Sequence, residues 1–330
     1  MKLKRSFYTL SFLLISFVFS GCVQNDEVDS IEVAEVTRSV FYAPFYVALA
    51  EGYFEDEQIK VELTTTWGGD KTMTALLSDG ADIALVGSET SVYVAAQEAT
   101  DPAINFAALT QTDGTFLVAR ENLTSFDWSD LKGSTFLGQR KGGMPQMVGE
   151  YVLKQQDINP QNDLNLLQNV DFGNIPSAFA SGTGDFVQLF EPQASTFEQE
   201  GLGHVVASFG AESGQVPYTS FMAKQSMLTE DPDVFVRFSS ALYKGQQLVN
   251  EQSAEKTAKS IESFFEDTEL DILTSSVERY KDQGSFAADP VLTEDAWETL
   301  LDIMAEAGEL PARIPFDELV NNQLAKQAME

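Results

Sequence analysis

Phe41-Tyr42-Ala43-Pro44-Phe45-Tyr46-Val47-Ala48-Leu49-Ala50-Glu51-Gly52-Tyr53-Phe54 is the stretch on which the fold turns. Before it, residues 31–37 (IEVAEVT) alternate in the manner of a strand, and after it residues 59–65 (IKVELTT) do the same. Inside it, Phe45, Leu49 and Phe54 recur at near-helical spacing, and Gly52 suits a helix end, where left-handed geometry favours glycine. Strand, aromatic loop, helix, strand is the opening of a βαβ unit. Open α/β sheets hold ligands beyond the carboxyl ends of their strands. Phe41, Tyr42 and Pro44 therefore stand at a candidate ligand mouth. The same pattern suits aromatics that belong to the core, and both readings stay open.

The alternation continues downstream. Trp67-Gly68-Gly69-Asp70 forms a glycine loop, with Asp70 as a candidate N-cap for a helix over 71–78. Residues 82–86 (DIALV) read as a buried strand, and Gly87-Ser88-Glu89-Thr90 opens a helix to about position 97. Strands are expected over 103–109 and 115–120. The pattern restarts with a strand over 134–137, the loop Gly138-Gln139-Arg140-Lys141-Gly142-Gly143, and a helix over 146–156. Strands over 164–169, 185–190 and 204–209 complete a second, nested α/β unit. Residues 218–223 read as a strand returning to the first unit. Beyond it the periodicity predicts helices over 233–251, 254–265, 270–282, 293–308 and 316–327. The expected architecture is α/β with two lobes: residues 31–120 with 209–330 in one, and 121–208 in the other. The chain is expected to cross between them at 115–120 and 209–218. Two lobes joined by two crossings can close on a ligand as a hinge.

The 330 residues carry 51 acidic and 20 basic side chains, a formal net charge of -31. Such a surface repels nucleic acid and anionic headgroups and favours solubility. Residues 1–21 read as a targeting segment: Lys2, Lys4 and Arg5 precede a short apolar run, then Ser20-Gly21 and Cys22, the single cysteine. This segment resembles a bacterial lipoprotein signal, although Phe19 departs from the usual pattern. The resemblance implies cleavage before Cys22, lipid on its thiol, and attachment to the extracytoplasmic face of the cell membrane. Residues 22–30 then form a polar tether. One cysteine allows no internal disulfide and no cysteine-based metal site.

Several residues offer recognition chemistry. Backbone N–H groups of a glycine loop at a helix N-terminus attract anions, so Arg140, Lys141, Gly142 and Gly143 form a candidate seat for a phosphate, sulfonate or carboxylate, or else a solvated turn. Phe41, Tyr42 and Trp67, beside Gly68, can stack on a ring or cover a cation. Ser88 and Thr90, at a strand-to-helix turn, supply hydroxyls, and Gln111 and Thr112 stand at a strand end. Glu89 and Glu191 can each bind a cation or simply balance a helix dipole. Tyr218 lies at the second crossing. His204 is the single histidine and begins a strand-like run; no Gly-x-Ser-x-Gly, P-loop or clustered metal-ligand spacing is present. The sequence predicts no cofactor and no metal.

"FYAPFYVALAEGYFEDEQIKVEL", "KTMTALLSDGADIALVGSET", "WSDLKGSTFLGQRKGGMP", "FEPQA" and "ALYKGQQLV" fall in an order and spacing that resembles a known family. It is similar to the solute-binding subunits of ABC importers for nitrate, taurine and alkanesulfonates, and thiamine-pyrimidine precursors. The resemblance spans essentially the whole mature chain. It implies the type II periplasmic-binding-protein fold, a small-molecule solute, ABC permease subunits as partners, and a monomer. The aromatic faces, the amide and hydroxyl donors and the one basic loop add the expectation of a small ring-bearing or zwitterionic solute with an anionic group. The cysteine-rich motif that marks the pyrimidine-precursor branch is absent here, which sets aside that branch's ligand and the pyrimidine-synthase chemistry of its relatives. The alternative is an enzyme on the same scaffold acting on a pyrimidine-like small molecule; a third reading is a sensor that hands its closed state to a receptor.

Overall fold

The computed structural model describes residues 28–330. The targeting segment, Cys22 and most of the tether lie outside the described residues. β1 (Asp29–Glu35) pairs in parallel with β2 (Ile59–Thr65), placing Val33 opposite Leu63, and on its other side with β3 (Ile83–Gly87). β4 (Ala103–Thr110) is buried along its whole length. β10 (Thr219–Lys224) inserts antiparallel between β3 and β4, so the first sheet runs β2-β1-β3-β10-β4. The second sheet joins β5 (Thr115–Ala119), β6 (Thr135–Leu137), β7 (Asn165–Leu167), β8 (Phe186–Phe190) and β9 (His204–Ser208) in the order β7-β6-β8-β5-β9. The architecture is thus α/β with two sheets and a helical C-terminal region.

Local chemistry fixes the elements. Ser39 accepts a hydrogen bond from the Phe41 N–H at 3.2 Å and starts a single 3-10 turn, Val40–Tyr42. The helix Ala43–Ala50 follows with proline in its first turn, where a missing N–H costs nothing. Gly52, at φ 76°, ends that segment in the left-handed region. Phe45 meets Phe221 at 5.1 Å, and Phe54 meets Phe238 at 4.9 Å between ring centroids, all four buried. Burying rings of this size stabilises a fold by roughly 2–3 kcal/mol each. The long helix Pro232–Glu251 packs on Ala43–Ala50 through Gly245, where any Cβ would strike the Pro44 carbonyl. Thr293 caps Glu294–Ala307, and Gly308, at φ 75°, terminates it.

Three expectations are corrected. Residues 115–119 are a central strand of the second sheet, not part of the first lobe: β5 pairs with both β8 and β9. The crossings are therefore 111–114 and 209–218. Both are tight. A Cβ at Gly114 would come within 2.8 Å of the Phe41 ring, and one at Gly210 would strike the Asp113 carbonyl. Secondly, the helix expected over 316–327 breaks into Phe316–Leu319 and Asn322–Ala328. Buried Asn105 explains the break, because its backbone carbonyl accepts from Asn321 N–H at 2.8 Å and Val320 forms an isolated bridge with it. Thirdly, Asp70 is not an N-cap. Gly68 holds that position in front of the helix Gly69–Leu77, leaving the Asp70 side chain free to reach across the cleft.

Candidate functional site

The carboxyl ends of β1, β3, β6 and β8 face a common space between the sheets. A cavity of about 240 Å³ lies there, walled from both lobes. Thr37, Tyr42, Gly87, Glu89, Tyr93 and Tyr218 line it from the first lobe. Gln139, Lys141, Met144, Phe172 and Phe190 line it from the second. Direct contacts join the lobes across it. Arg140 donates to Asp70 at 2.9 Å at the mouth, and the Met144 N–H donates to Glu89 Oε1 at 3.2 Å inside. Tyr93 O–H points at Met147 Sδ at 3.7 Å. Farther out, the helix Glu294–Ala307 packs on Met144–Gln155, and Lys154 donates to the Glu306 carbonyl at 2.8 Å.

The polar groups of the cavity are incompletely matched. Glu89 is 4% exposed, and its Oε2 has no hydrogen-bond partner. Gln139 gives its Nε2 to the Gln188 carbonyl at 2.7 Å but leaves Oε1 without a partner. The Tyr218 hydroxyl faces the Asp113 carboxyl and makes no hydrogen bond of ordinary geometry. An unpaired buried polar group costs about 1–3 kcal/mol, more when charged, so native proteins keep such groups where something else completes them. Burial pushes the Glu89 carboxyl up to about 8, against the smaller opposing pull of its own and the Met144 backbone N–H groups. Burial also raises Asp113, to about 6, although Thr115 donates to it. Tyr42 and Tyr218 are pushed up, first by burial and then by neighbouring carboxylates, Glu89 among them.

The structure brings together Tyr42, Gly68, Glu89, Thr90, Arg140, Lys141, Gly142, Gly143 and Tyr218, all on the cavity wall. The basic loop is largely engaged: Arg140 is held by Asp70, and the Gly142 N–H donates to Gln146 Oε1 at 3.0 Å. The other expected residues lie elsewhere. Phe41 is buried among Phe190, Tyr218 and Tyr280, and Pro44 is buried in its helix. Trp67, with φ 61°, turns outward, is 52% exposed, and borders a separate depression beside Phe172 and Gly173. Ser88 is buried against Ser220. Gln111 donates to the Gly284 carbonyl at 3.1 Å and Thr112 to Ser285 Oγ at 3.0 Å, both on the crossing rather than in the cavity. Glu191 is buried and paired with Arg279 at 2.7 Å.

Sequence reasoning missed Gly87, Tyr93, Phe172 and Phe190, and quoted Gln139 within the basic loop without giving its side chain a role. Tyr93 had a usable signal, since it follows Glu89 by one helical turn and shares its face. Gly87 had another: a Cβ there would overlap the Glu89 carboxylate, so a glycine before the helix makes room for that side chain. Phe172 and Phe190 reach the cavity only through the packing of the second sheet. His204 sits in β9 opposite Ala119, away from the cavity. Among the described residues no His, Cys, Asp or Glu cluster could hold a metal ion, and no helix is long and apolar enough to cross a membrane.

Comparison with known proteins agrees with this architecture. The chain is 58% identical over 325 residues to "Putative binding protein YtlA" of Bacillus subtilis (strain 168), covering 98% of this chain and 97% of that one. Among solved structures, the alkanesulfonate-binding protein SsuA from Xanthomonas axonopodis pv. citri, bound to MOPS, superposes with a TM-score of 0.71 at 15% identity, covering 90% of this chain and 99% of that one. The periplasmic nitrate-binding protein NrtA from Synechocystis PCC 6803 gives 0.71 at 14% identity, covering 92% and 88%. These distant likenesses carry the fold, that of the periplasmic binding proteins. The sequence pattern described as NMT1/THI5 like matches residues 40–255, and the chain belongs to that family.

Proposed function

We propose that this chain is an extracytoplasmic solute-binding protein that captures a small organic solute between its lobes and delivers it to the permease of an ABC importer. The observation that carries the reading is the cavity walled from both lobes, with buried polar atoms left without partners. A solute that touches both walls does so only when the lobes meet. It then stabilises the closed state by its differential affinity, and that state is what a permease can recognise. The structural neighbours named for binding alkanesulfonate and nitrate support an anionic group on the solute. Lys141, on the cavity wall ahead of the helix Met144–Gln155, is the side chain placed to meet it. Lipid on Cys22 would hold the protein at the extracytoplasmic face of the cell membrane.

A thermal-shift screen of the purified protein against alkanesulfonates, nitrate, amino acids, pyrimidines and aromatic carboxylates tests this. A true solute at 100 times its Kd stabilises by about 2.7 kcal/mol, a readily measured rise in Tm. Recovery of that solute unchanged supports transport binding. Consumption of the solute would favour an enzyme on this scaffold instead.

A further inference from the structure

We propose that the inner end of the cavity binds a protonated amine or amidine, with Glu89 as its counter-charge. The solute then carries a cationic group inside and its anionic group toward Lys141. This rests on the solute-binding reading and deepens it. Glu89 Oε2 is buried, lies against Gly87 on the cavity wall, and accepts nothing from the protein. Gln139 Oε1, on the opposite lobe, also accepts nothing. Two unmatched acceptors on facing walls call for donors on whatever enters. Around them stand Tyr42, Tyr93, Phe172, Phe190 and Tyr218. Aromatic faces attract cations, most strongly where water is excluded. A sulfonate or nitrate placed here could be met only by the proton of the neutral Glu89 carboxyl, and the ionised form would repel it.

The groups facing Glu89 are the Tyr42, Tyr93 and Tyr218 hydroxyl-bearing rings, the Met144 N–H and, at the cavity margin, Lys141; its ionised form has no cation paired with it. With its carboxyl raised to about 8, Glu89 holds a proton near neutral pH when the cavity is empty. An entering ammonium displaces that proton into solvent and leaves a carboxylate–ammonium pair. The balance is one proton released for one cation bound.

The test uses matched pairs that differ only in the cationic group: taurine and ethanesulfonate, β-alanine and propanoate, 4-(aminomethyl)benzoate and 4-methylbenzoate, 4-amidinobenzoate and benzoate. Binding to the purified protein is measured by calorimetry at pH 7 in two buffers of different ionisation enthalpy. The expected result is that at least one cationic member binds at least tenfold more tightly than its partner and releases close to one proton. Glu89→Gln keeps the acceptor for Met144 N–H. It should erase both the preference and the proton release. Equal affinity within every pair, binding of the anionic members alone, or an undiminished preference in Glu89→Gln overturns the proposal and leaves solute binding standing. If neither these compounds nor the wider screen yields any binding, solute capture itself fails, and this proposal with it.

Discussion

Two strand-to-helix turns, one in each lobe, place a buried glutamate at almost the same point and use it in opposite ways. After β3, Glu89 heads the helix Glu89–Ala96; after β8, Glu191 stands just before Gln193–Gln199. Both are buried, at 4% and 0% exposure. Glu191 is saturated: Arg279 donates to it at 2.7 Å, and the N–H and hydroxyl of Ser195 each donate at 2.9 Å. Arg279 goes on to Glu198, and Ser39 of the first lobe donates to the Glu191 carbonyl at 2.9 Å. Glu89 has the Met144 N–H on one oxygen and nothing on the other. A buried carboxylate at a helix start is therefore no signature by itself. The supply of donors around it decides whether it ties the hinge or waits for a ligand.

The largest effect should come from breaking the saturated glutamate. Removing one partner of a buried ion pair typically costs about 3–5 kcal/mol, because the other charge is left desolvated. Arg279 retains Glu198, so Glu191→Ala is expected near the lower end, about 3 kcal/mol in urea unfolding. Glu191→Gln should recover part of that loss by keeping an acceptor for one of the two Ser195 donors. A loss below about 1 kcal/mol for Glu191→Ala would mean that the network around Arg279 is solvated rather than holding the crossing.

The unsaturated glutamate should behave in the reverse sense. Its folded-state proton affinity is raised from 4.5 to about 8 by burial, so the folded state keeps a proton that the unfolded chain releases. The stabilisation is full below the unfolded value and is lost as pH rises from about 4.5 through about 8. Asp113 contributes a similar loss that ends near 6. The fall above pH 6 that disappears in Glu89→Gln therefore reports Glu89. With no solute present, Glu89→Gln should be more stable than the native protein at pH 8 by about 1–3 kcal/mol, because the amide never ionises in the buried site, whereas the unfolded chain of the native protein gains by ionising Glu89. Parallel stability profiles for the two proteins between pH 6 and 8 would show that Glu89 is already satisfied.

Much of this contrast was visible in the sequence, but not the part that separates the two glutamates. The βαβ opening, the nested second unit and the C-terminal helices follow from periods of two and 3.6 and from glycine and threonine at the ends. Asp127 to Gly133, Gly284 and Gly308 punctuate the chain where the elements stop. The allegiance of β5 was not legible, because a buried run such as Thr115–Ala119 fits the middle of either sheet. Expected residues held by local geometry do line the cavity: Tyr42 behind its proline-started helix, and Arg140 to Gly143 between strand and helix. Phe41, Ser88 and Thr112 resemble them in one dimension yet are consumed by Tyr280, Ser220 and Ser285, partners distant in sequence. The Arg279–Glu191 pair spans 88 positions, a separation at which no local pattern operates.

The smallest effect on stability, and the one that sharpens the comparison most, concerns the mouth above Glu89. Arg140 and Asp70 are 2.9 Å apart with side chains 47% and 59% exposed, and an exposed pair of this kind adds at most about 1 kcal/mol. Arg140→Ala should therefore leave the unfolding transition of the empty protein nearly unchanged. The pair links the lobes, however, so whatever it contributes belongs wholly to the closed state. A solute bound in the cavity should leave the Arg140→Ala protein up to about fivefold faster than the native one. Raising salt to 0.5 M should bring the native protein toward the variant's dissociation rate and affect the variant less, since an exposed pair is screened over a few ångströms. If Arg140→Ala instead abolishes binding at low and high salt alike, Arg140 contacts the solute directly. The anionic end of the solute would then sit at the mouth on Arg140 rather than on Lys141, competing with Asp70 for it.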